Sequence, residues 1–260
     1  MKTLGHFGTR RQLFRAIAAG AASISFLASV RKSESATPTR CSAAVGCACF
    51  LKGTRISTPS GDRPVQELQI GDEVNTLAGR KPIKWIGYNK FTKEEGRAWP
   101  DSVMPIRVAR FAIDEHSPRS DLYLSPLHCI FFNEVLIPAK HLINGISVAQ
   151  DAPSDMSAIE YYHIDLGTHE VLYAEGALVE SFFDGDSERE HFSNFIEYER
   201  LYGAERQPKM TPFAPIHGYF NRREKIAGVA RSLISNVVDV RDAVQIAQDQ
   251  IARRAQAVSV

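Results

Sequence analysis

A mainly β fold, a twisted antiparallel unit followed by a helical C-terminal extension, is what the sequence predicts, on three observations. From Cys49 to about Phe183 the apolar residues come in short stretches separated by Gly, Pro, Asn and Asp, the punctuation of many short strands. From residue 186 onward charged, helix-favouring residues replace that punctuation. A length of 260 residues with 44% apolar and 23% charged side chains suits one substantial core with a small appendage, not two full domains.

At the amino end, Met1 to Arg15 is basic and free of acids, Ala16 to Val30 is a run of apolar and small residues, and Ser33, Ser35 and Ala36 supply small residues near a cut. That layout is a secretory signal. The stretch Thr9-Arg10-Arg11-Gln12-Leu13-Phe14 resembles a twin-arginine export signal, and the modest hydrophobicity of the run suits that route. Residues 1–36 are therefore expected to act as a bacterial export signal, with the rest of the chain periplasmic or extracellular and residues 37–48 as a short upstream segment. The plainer alternative is an amphipathic or buried helix, because fifteen apolar residues are too few to span a bilayer. No other segment approaches a transmembrane span.

The strands follow in order. Ile56 to Thr58 runs into a turn at Pro59-Ser60-Gly61-Asp62, and Val65 to Leu68 precedes a second turn at Gly71-Asp72. Val74, Ile83, Trp85 and Ile86 mark further strands. Leu122 to Leu124, Ile130 to Phe132, Val135 to Ile137, Tyr161 to Leu166, Glu170 to Tyr173 and Ala177 to Phe182 extend the pattern, so residues 49–185 read as one antiparallel unit. In the extension, residues 186–260, a helix is expected over Glu188 to Tyr202. A second, amphipathic helix is expected over Arg222 to Ala255, where Ile226, Val229, Leu233, Val237, Val240, Val244 and Ile251 fall near helical spacing and Ser235, Asn236 and Asp239 interrupt it. It packs on the β unit or on another chain in the plain reading, and offers a membrane or substrate surface in the sharper one.

Charge excludes some partners. Thirty-one basic and thirty acidic residues leave a formal net charge of +1, so no bulk field draws the protein to nucleic acid or acidic lipid. The four cysteines, Cys41, Cys47, Cys49 and Cys129, are too few for a disulfide framework, and no Cys-x-x-Cys or His-x-x-x-His spacing supplies a zinc site. No metal and no cofactor are expected. Cys129 reads as a core residue, His141 as a cap or packing residue near Asn144-Gly145, and Cys41 and Cys47 have no assignable role.

The chemistry lies in three blocks. The first is Cys49-Phe50-Leu51-Lys52-Gly53-Thr54-Arg55-Ile56, then Gly61, Val65-Gln66-Glu67-Leu68 and Gly71-Asp72-Glu73-Val74; the second is Ser125-Pro126-Leu127-His128. The third runs from Tyr161-Tyr162-His163-Ile164-Asp165 to His169-Glu170-Val171-Leu172-Tyr173-Ala174-Glu175-Gly176. Together they resemble the Hint family, the self-processing module shared by inteins and hedgehog autoprocessing proteins, over about half of the chain. The resemblance implies that Cys49 attacks the carbonyl just upstream, that Ser125 and His128 sit beside the scissile peptide, with His128 the proton donor, and that His169 assists cleavage, with His163 and Asp165 as weaker candidates.

Those residue types suit the reaction. A peptide carbonyl is a poor electrophile, so turning the Ala48-Cys49 amide into a thioester needs a nucleophile held against that carbon, and a thiol is intrinsically the best side chain available. The departing nitrogen must gain a proton, a task for a group titrating near neutrality such as His128. Ser125 holds the strained peptide or donates to its oxygen. Taken alone, a Cys is usually a small buried apolar residue and a His a satisfied polar one.

Inteins end in His-Asn, whose asparagine cyclises; this chain has Glu180-Ser181 there, so asparagine cyclisation is not available. The nearer analogy is the hedgehog branch, where an outside nucleophile resolves the thioester. Three functions follow. One is a single-turnover processing domain whose substrate is its own upstream peptide and whose acceptor is an unidentified nucleophile. Another is a catalytically silent Hint-fold binding or structural module. The last is a cysteine hydrolase acting on other molecules through Cys49 with His128 or His169.

Overall fold

The computed structural model describes residues 48–153, 156–185, 189–203, 209–218 and 242–258; the export signal, the upstream segment, Cys41, Cys47 and residues 222–241 of the expected long helix lie outside the described residues. Within them, fourteen short strands form two antiparallel sheets.

The first sheet is built around the shortest strand. β1 (Phe50–Leu51) is flanked by β8 (Leu122–Leu124) and β12 (Ala158–Asp165), and both of its residues are buried. β7 (Ile106–Val108) and β11 (Val148–Gln150) extend the sheet beyond β8, and β6 (Trp85–Thr92) forms the other edge beside β12. The second sheet runs β10 (Val135–Pro138), β9 (Cys129–Phe132), β14 (Ala177–Glu180), β13 (Val171–Ala174), β2 (Arg55–Thr58) and β3 (Gly61–Pro64), with the hairpin of β4 (Glu73–Thr76) and β5 (Gly79–Pro82) paired to β13.

Two hairpins use one local device. In Thr58-Pro59-Ser60-Gly61 and again in Thr76-Leu77-Ala78-Gly79, the threonine hydroxyl donates to the glycine carbonyl at 2.6 Å. The glycines take φ of +109° and +102°, backbone that side chains with a Cβ rarely adopt. Val65 to Leu68, expected as strand-like, instead turns as a 3-10 helix over Val65–Glu67, entered from Pro64, whose ring fixes φ at −57°, and closed by the Leu68 amide on the Val65 carbonyl at 3.4 Å.

Beyond the sheets, the expected helix over Glu188 to Tyr202 is shorter in its described part. A 3-10 turn spans Arg189–His191 and α1 spans Phe195–Tyr202. Between them Ser193 and Asn194 are taken up by the β6 edge: the Ser193 amide donates to the Tyr88 carbonyl at 2.9 Å, and Asn194 receives the Tyr88 amide at 2.8 Å while donating to the Ile86 carbonyl at 2.9 Å. An otherwise open edge is thereby satisfied. α2 (Ala243–Val258) buries Val244, Ala247, Ile251 and Ala255, one face at helical spacing, and is pinned by Gln248 to the His141 carbonyl (2.7 Å) and by Arg254 to the Phe111 carbonyl (2.8 Å). Among the described residues no helix is long and apolar enough to cross a membrane.

Two apolar clusters matter for the site. The larger contains Phe50, Ile56, Leu124, Ile130 and Val179; a second gathers Cys49, Leu51, Trp85, Tyr161, Phe182, Phe192 and Tyr198. Residues 49 and 50 thus project to opposite faces of the first sheet, as alternation along a strand requires.

Candidate functional site

β1 is too short to carry a site unaided, and its neighbours on both sides supply one. Ser125 follows β8 and faces Cys49: the Cys49 amide donates to Ser125 Oγ at 2.7 Å, and the Ser125 amide donates to the Cys49 carbonyl at 2.9 Å. The hydrogen of the Ala48-Cys49 peptide bond is therefore held by the serine side chain. Both residues are buried, Cys49 completely. Burial pushes the Cys49 thiol well above its ordinary range, since an apolar pocket disfavours thiolate.

His128 lies one turn on, its amide donating to the Ser125 carbonyl at 3.0 Å. Pro126 and His128 are held in turn by the amides of Lys140 (3.0 Å) and Ala139 (2.9 Å), which fixes the Ser125-to-His128 segment against the 3-10 turn that follows β10. The His128 ring packs 4.3 Å from the Phe50 ring and places Nε2 3.0 Å from the Glu180 carbonyl. A carbonyl oxygen only accepts, so Nε2 carries the hydrogen and the lone pair of the neutral ring resides on Nδ1.

His163, on β12, meets His128 edge to face with ring centroids 5.4 Å apart, and it packs on Phe182 at 5.4 Å and Phe192 at 6.2 Å. Tyr161, two residues earlier on the same face, donates its hydroxyl to the Val103 carbonyl at 2.7 Å. Burial holds that hydroxyl well above its usual range, and the charge of a Cys49 thiolate would add to the effect.

The structure brings Cys49 and Ser125 into direct contact and His128 beside them, whereas His169 belongs to a neighbouring network. Its Nδ1 accepts from the Phe213 amide at 3.2 Å, its ring stacks on Phe183 at 4.7 Å, and its Nε2 stands 3.4 Å from Glu180 Oε2. Glu180 Oε1 accepts the Cys129 amide at 2.8 Å. The two histidines therefore meet different atoms of one residue, the carbonyl and the carboxylate of Glu180. Cys129 is fully buried with Leu136, Val171, Phe183 and Ile216. His141 sits in a 3-10 turn with its ring 5.2 Å from that of His217, while the nearby loop is organised by Asn144, whose Oδ1 accepts the amides of Ile146, Ser147 and Val148.

Asp165 forms a buried pair with Arg189, whose Nε and Nη2 donate to Oδ2 at 2.9 and 2.8 Å. Burial raises the Asp165 carboxyl, and the guanidinium opposes that rise. Arg189 lies over the Phe182 ring at 4.5 Å, so this pair closes the aromatic cluster around Cys49 on the side of the C-terminal segment. Among the described residues no group of three or more His, Cys, Asp or Glu side chains is gathered to hold a metal ion.

An antiparallel β body with a cysteine just before a central strand and a Ser-x-x-His turn against the cysteine's amide is the arrangement of a domain of the hedgehog and intein class. The model of the Hint domain matches residues 48–186, more than half of the chain, and the chain belongs to that family. Solved structures similar to it include a bacterial intein-like domain from Clostridium thermocellum (11% identity, 52% of this chain and 98% of that one, TM-score 0.36). Others are the gp41-1 intein (13% identity, 50% and 97%, TM-score 0.35) and the MchDnaB-1 intein (11% identity, 51% and 99%, TM-score 0.33). Among curated proteins none matches the chain.

Proposed function

We propose that this protein processes itself: the Cys49 thiol attacks the Ala48 carbonyl, an N-to-S acyl shift makes a thioester there, and an outside nucleophile resolves it by cleavage or transfer. The observation that carries this reading is the buried Ala48-Cys49 amide with its hydrogen held by Ser125 Oγ at 2.7 Å. A donor–acceptor pair at that nitrogen fixes the peptide against the thiol and lets a proton reach the nitrogen as the C–N bond breaks. His128, adjacent through its turn and hydrogen-bonded at Nε2, is the proton donor in this reading. His169 acts at a distance, through Glu180.

Complete burial of Cys49 favours action on the chain's own peptide over turnover of diffusing substrates. Glu180-Ser181 offers no asparagine to cyclise, which favours one-sided cleavage over splicing. The first 36 residues direct export in this scheme, and the residues that follow the Hint domain stay attached to it. Intact mass and amino-terminal sequencing of the full chain, purified with and without dithiothreitol, test the proposal. The expected result is a new terminus at Cys49 that dithiothreitol increases and Cys49→Ala abolishes. An uncut chain under both conditions sinks it and leaves a silent Hint-fold module.

A further inference from the structure

We infer that His163 is the base that removes the proton from the Cys49 thiol; this rests on the acyl shift proposed above and supplies a step that reading leaves open. The strand register carries the argument. Phe50 pairs with Tyr162 and Leu51 with Tyr161, so one residue further along the same ladder Cys49 faces His163. Both backbone groups of Cys49 are turned toward Ser125 on the β8 side, while on the β12 side the Lys52 amide donates to the Glu160 carbonyl at 2.9 Å, which by alternation makes Phe50 and Tyr162 the neighbouring hydrogen-bonded pair. Residues 49 and 163 therefore form a non-hydrogen-bonded pair, the kind in which facing Cα atoms approach to about 4.5 Å and side chains lie closest.

The surroundings agree. Cys49 clusters with Tyr161, Phe182 and Phe192, and the His163 ring packs on Phe182 and Phe192. Thiol and imidazole thus project into one packed cluster, where His163 is 2% exposed and Cys49 not at all, so bulk water is not at hand to take the proton. The Tyr161 hydroxyl hydrogen is already given to the Val103 carbonyl, and a phenol is a far weaker base than imidazole at neutral pH. His128 meets His163 edge to face at 5.4 Å, so the base and the proposed proton donor are direct neighbours.

The step balances. The S–H proton passes to the His163 ring and the sulfur bonds the Ala48 carbonyl carbon. The Ala48-Cys49 C–N bond then breaks, and the imidazole pair returns one proton to the Cys49 nitrogen. The sum is an isomerisation that consumes no oxidant, reductant or co-reactant.

Three full-length chains test it: wild type, His163→Phe, which keeps an aromatic ring against Phe182 and Phe192, and His163→Ala with and without free imidazole. With dithiothreitol as acceptor, His163→Phe should release the upstream segment about a hundredfold more slowly, the low end of the effect of a positioned base. Imidazole should restore much of the rate to His163→Ala, more so as pH rises through the imidazole range; a packing defect would respond to neither. Release from His163→Phe at the wild-type rate overturns the inference, as does a folded His163→Ala chain indifferent to imidazole. A wild-type chain with no Cys49-dependent release removes the acyl-shift reading instead. Labelling of native Cys49 by methyl methanethiosulfonate, read by peptide mass, then decides on His163: several-fold slower labelling in His163→Phe supports it, and equal rates overturn it.

Discussion

The amide of Cys49 donates to Ser125 Oγ at 2.7 Å, and the amide of Ser125 donates back to the Cys49 carbonyl at 2.9 Å. This reciprocal pair joins residues 76 positions apart, and it fixes the orientation of the peptide bond that precedes the thiol. Removing the hydroxyl leaves a buried N–H without its acceptor, at a cost of about 1–3 kcal/mol. Ser125→Ala is therefore expected to slow thiol-induced release roughly 10- to 100-fold, at about 1.4 kcal/mol per factor of ten. Ser125→Thr, which keeps the acceptor, should retain most of the rate. Equal rates for the Ala variant and the wild type in a dithiothreitol time course would remove Ser125 from the mechanism.

Burial pushes the Cys49 thiol well above its ordinary range, so the resting group is protonated at neutral pH. The release rate should therefore not follow the ionisation of a free thiol, because the proton leaves through a positioned base and not to solvent, and a rate–pH profile that tracks free-thiol ionisation would count against that base. Stability, by contrast, falls as pH rises. A folded-state pKa above the unfolded one means the folded chain binds more protons in alkali, so the contribution is intact below the unfolded pKa and is lost as pH rises toward the folded one. Tyr161, raised by its own burial, acts in the same direction at higher pH. Urea midpoints should fall from neutral to alkaline pH, and the fall should be smaller in Cys49→Ala.

Much of this site is legible in the sequence, for identifiable reasons. Cys49, Ser125 and His128 are visible because each sits in a block whose neighbours are constrained as well: Gly-Thr after the cysteine, Pro-Leu before the histidine. The hairpins at Gly61 and Gly79 have a local cause, positive φ, though only the first is marked by a Pro-Ser-Gly-Asp run. His163 is harder to rank, because Tyr161, His163 and Asp165 alternate along a strand as any inward-facing positions do. Its importance comes from register with β1, about 110 residues away in the chain. Glu180 escapes altogether: a carboxylate at a strand end reads as solvated, and its burial depends on the Cys129 amide and on His169.

Arg189 and Asp165 form the buried charge pair beneath the aromatic cluster. Removing one partner of such a pair typically costs about 3–5 kcal/mol, because the other charge stays buried and uncompensated. Arg189→Met should therefore destabilise strongly at neutral pH. Without the guanidinium the Asp165 carboxyl, already raised by burial, is pushed up further. A raised carboxyl is least costly when protonated, so the deficit relative to wild type should shrink as pH falls. Chemical denaturation at neutral and mildly acidic pH checks this; a deficit that is constant across the range would mean Asp165 carries no buried charge.

Gly87 lies opposite His163 in the β6–β12 ladder, and a Cβ placed on it would come within 2.6 Å of the Phe192 ring. Three ring atoms lie under 3.0 Å from that point, so the whole ring must move rather than a flexible tip. Phe192 packs on Trp85 at 5.4 Å and on His163 at 6.2 Å, and its displacement therefore reaches both the core and the site. Overpacking of this kind costs about 1–3 kcal/mol. Gly87→Ala should lower the melting temperature and slow release together. Adding Phe192→Leu relieves the clash, so the double variant should lose less stability than the two single losses summed, while release stays slow because the ring against His163 is gone. Additive losses in thermal melts would show that Gly87 and Phe192 do not share one space.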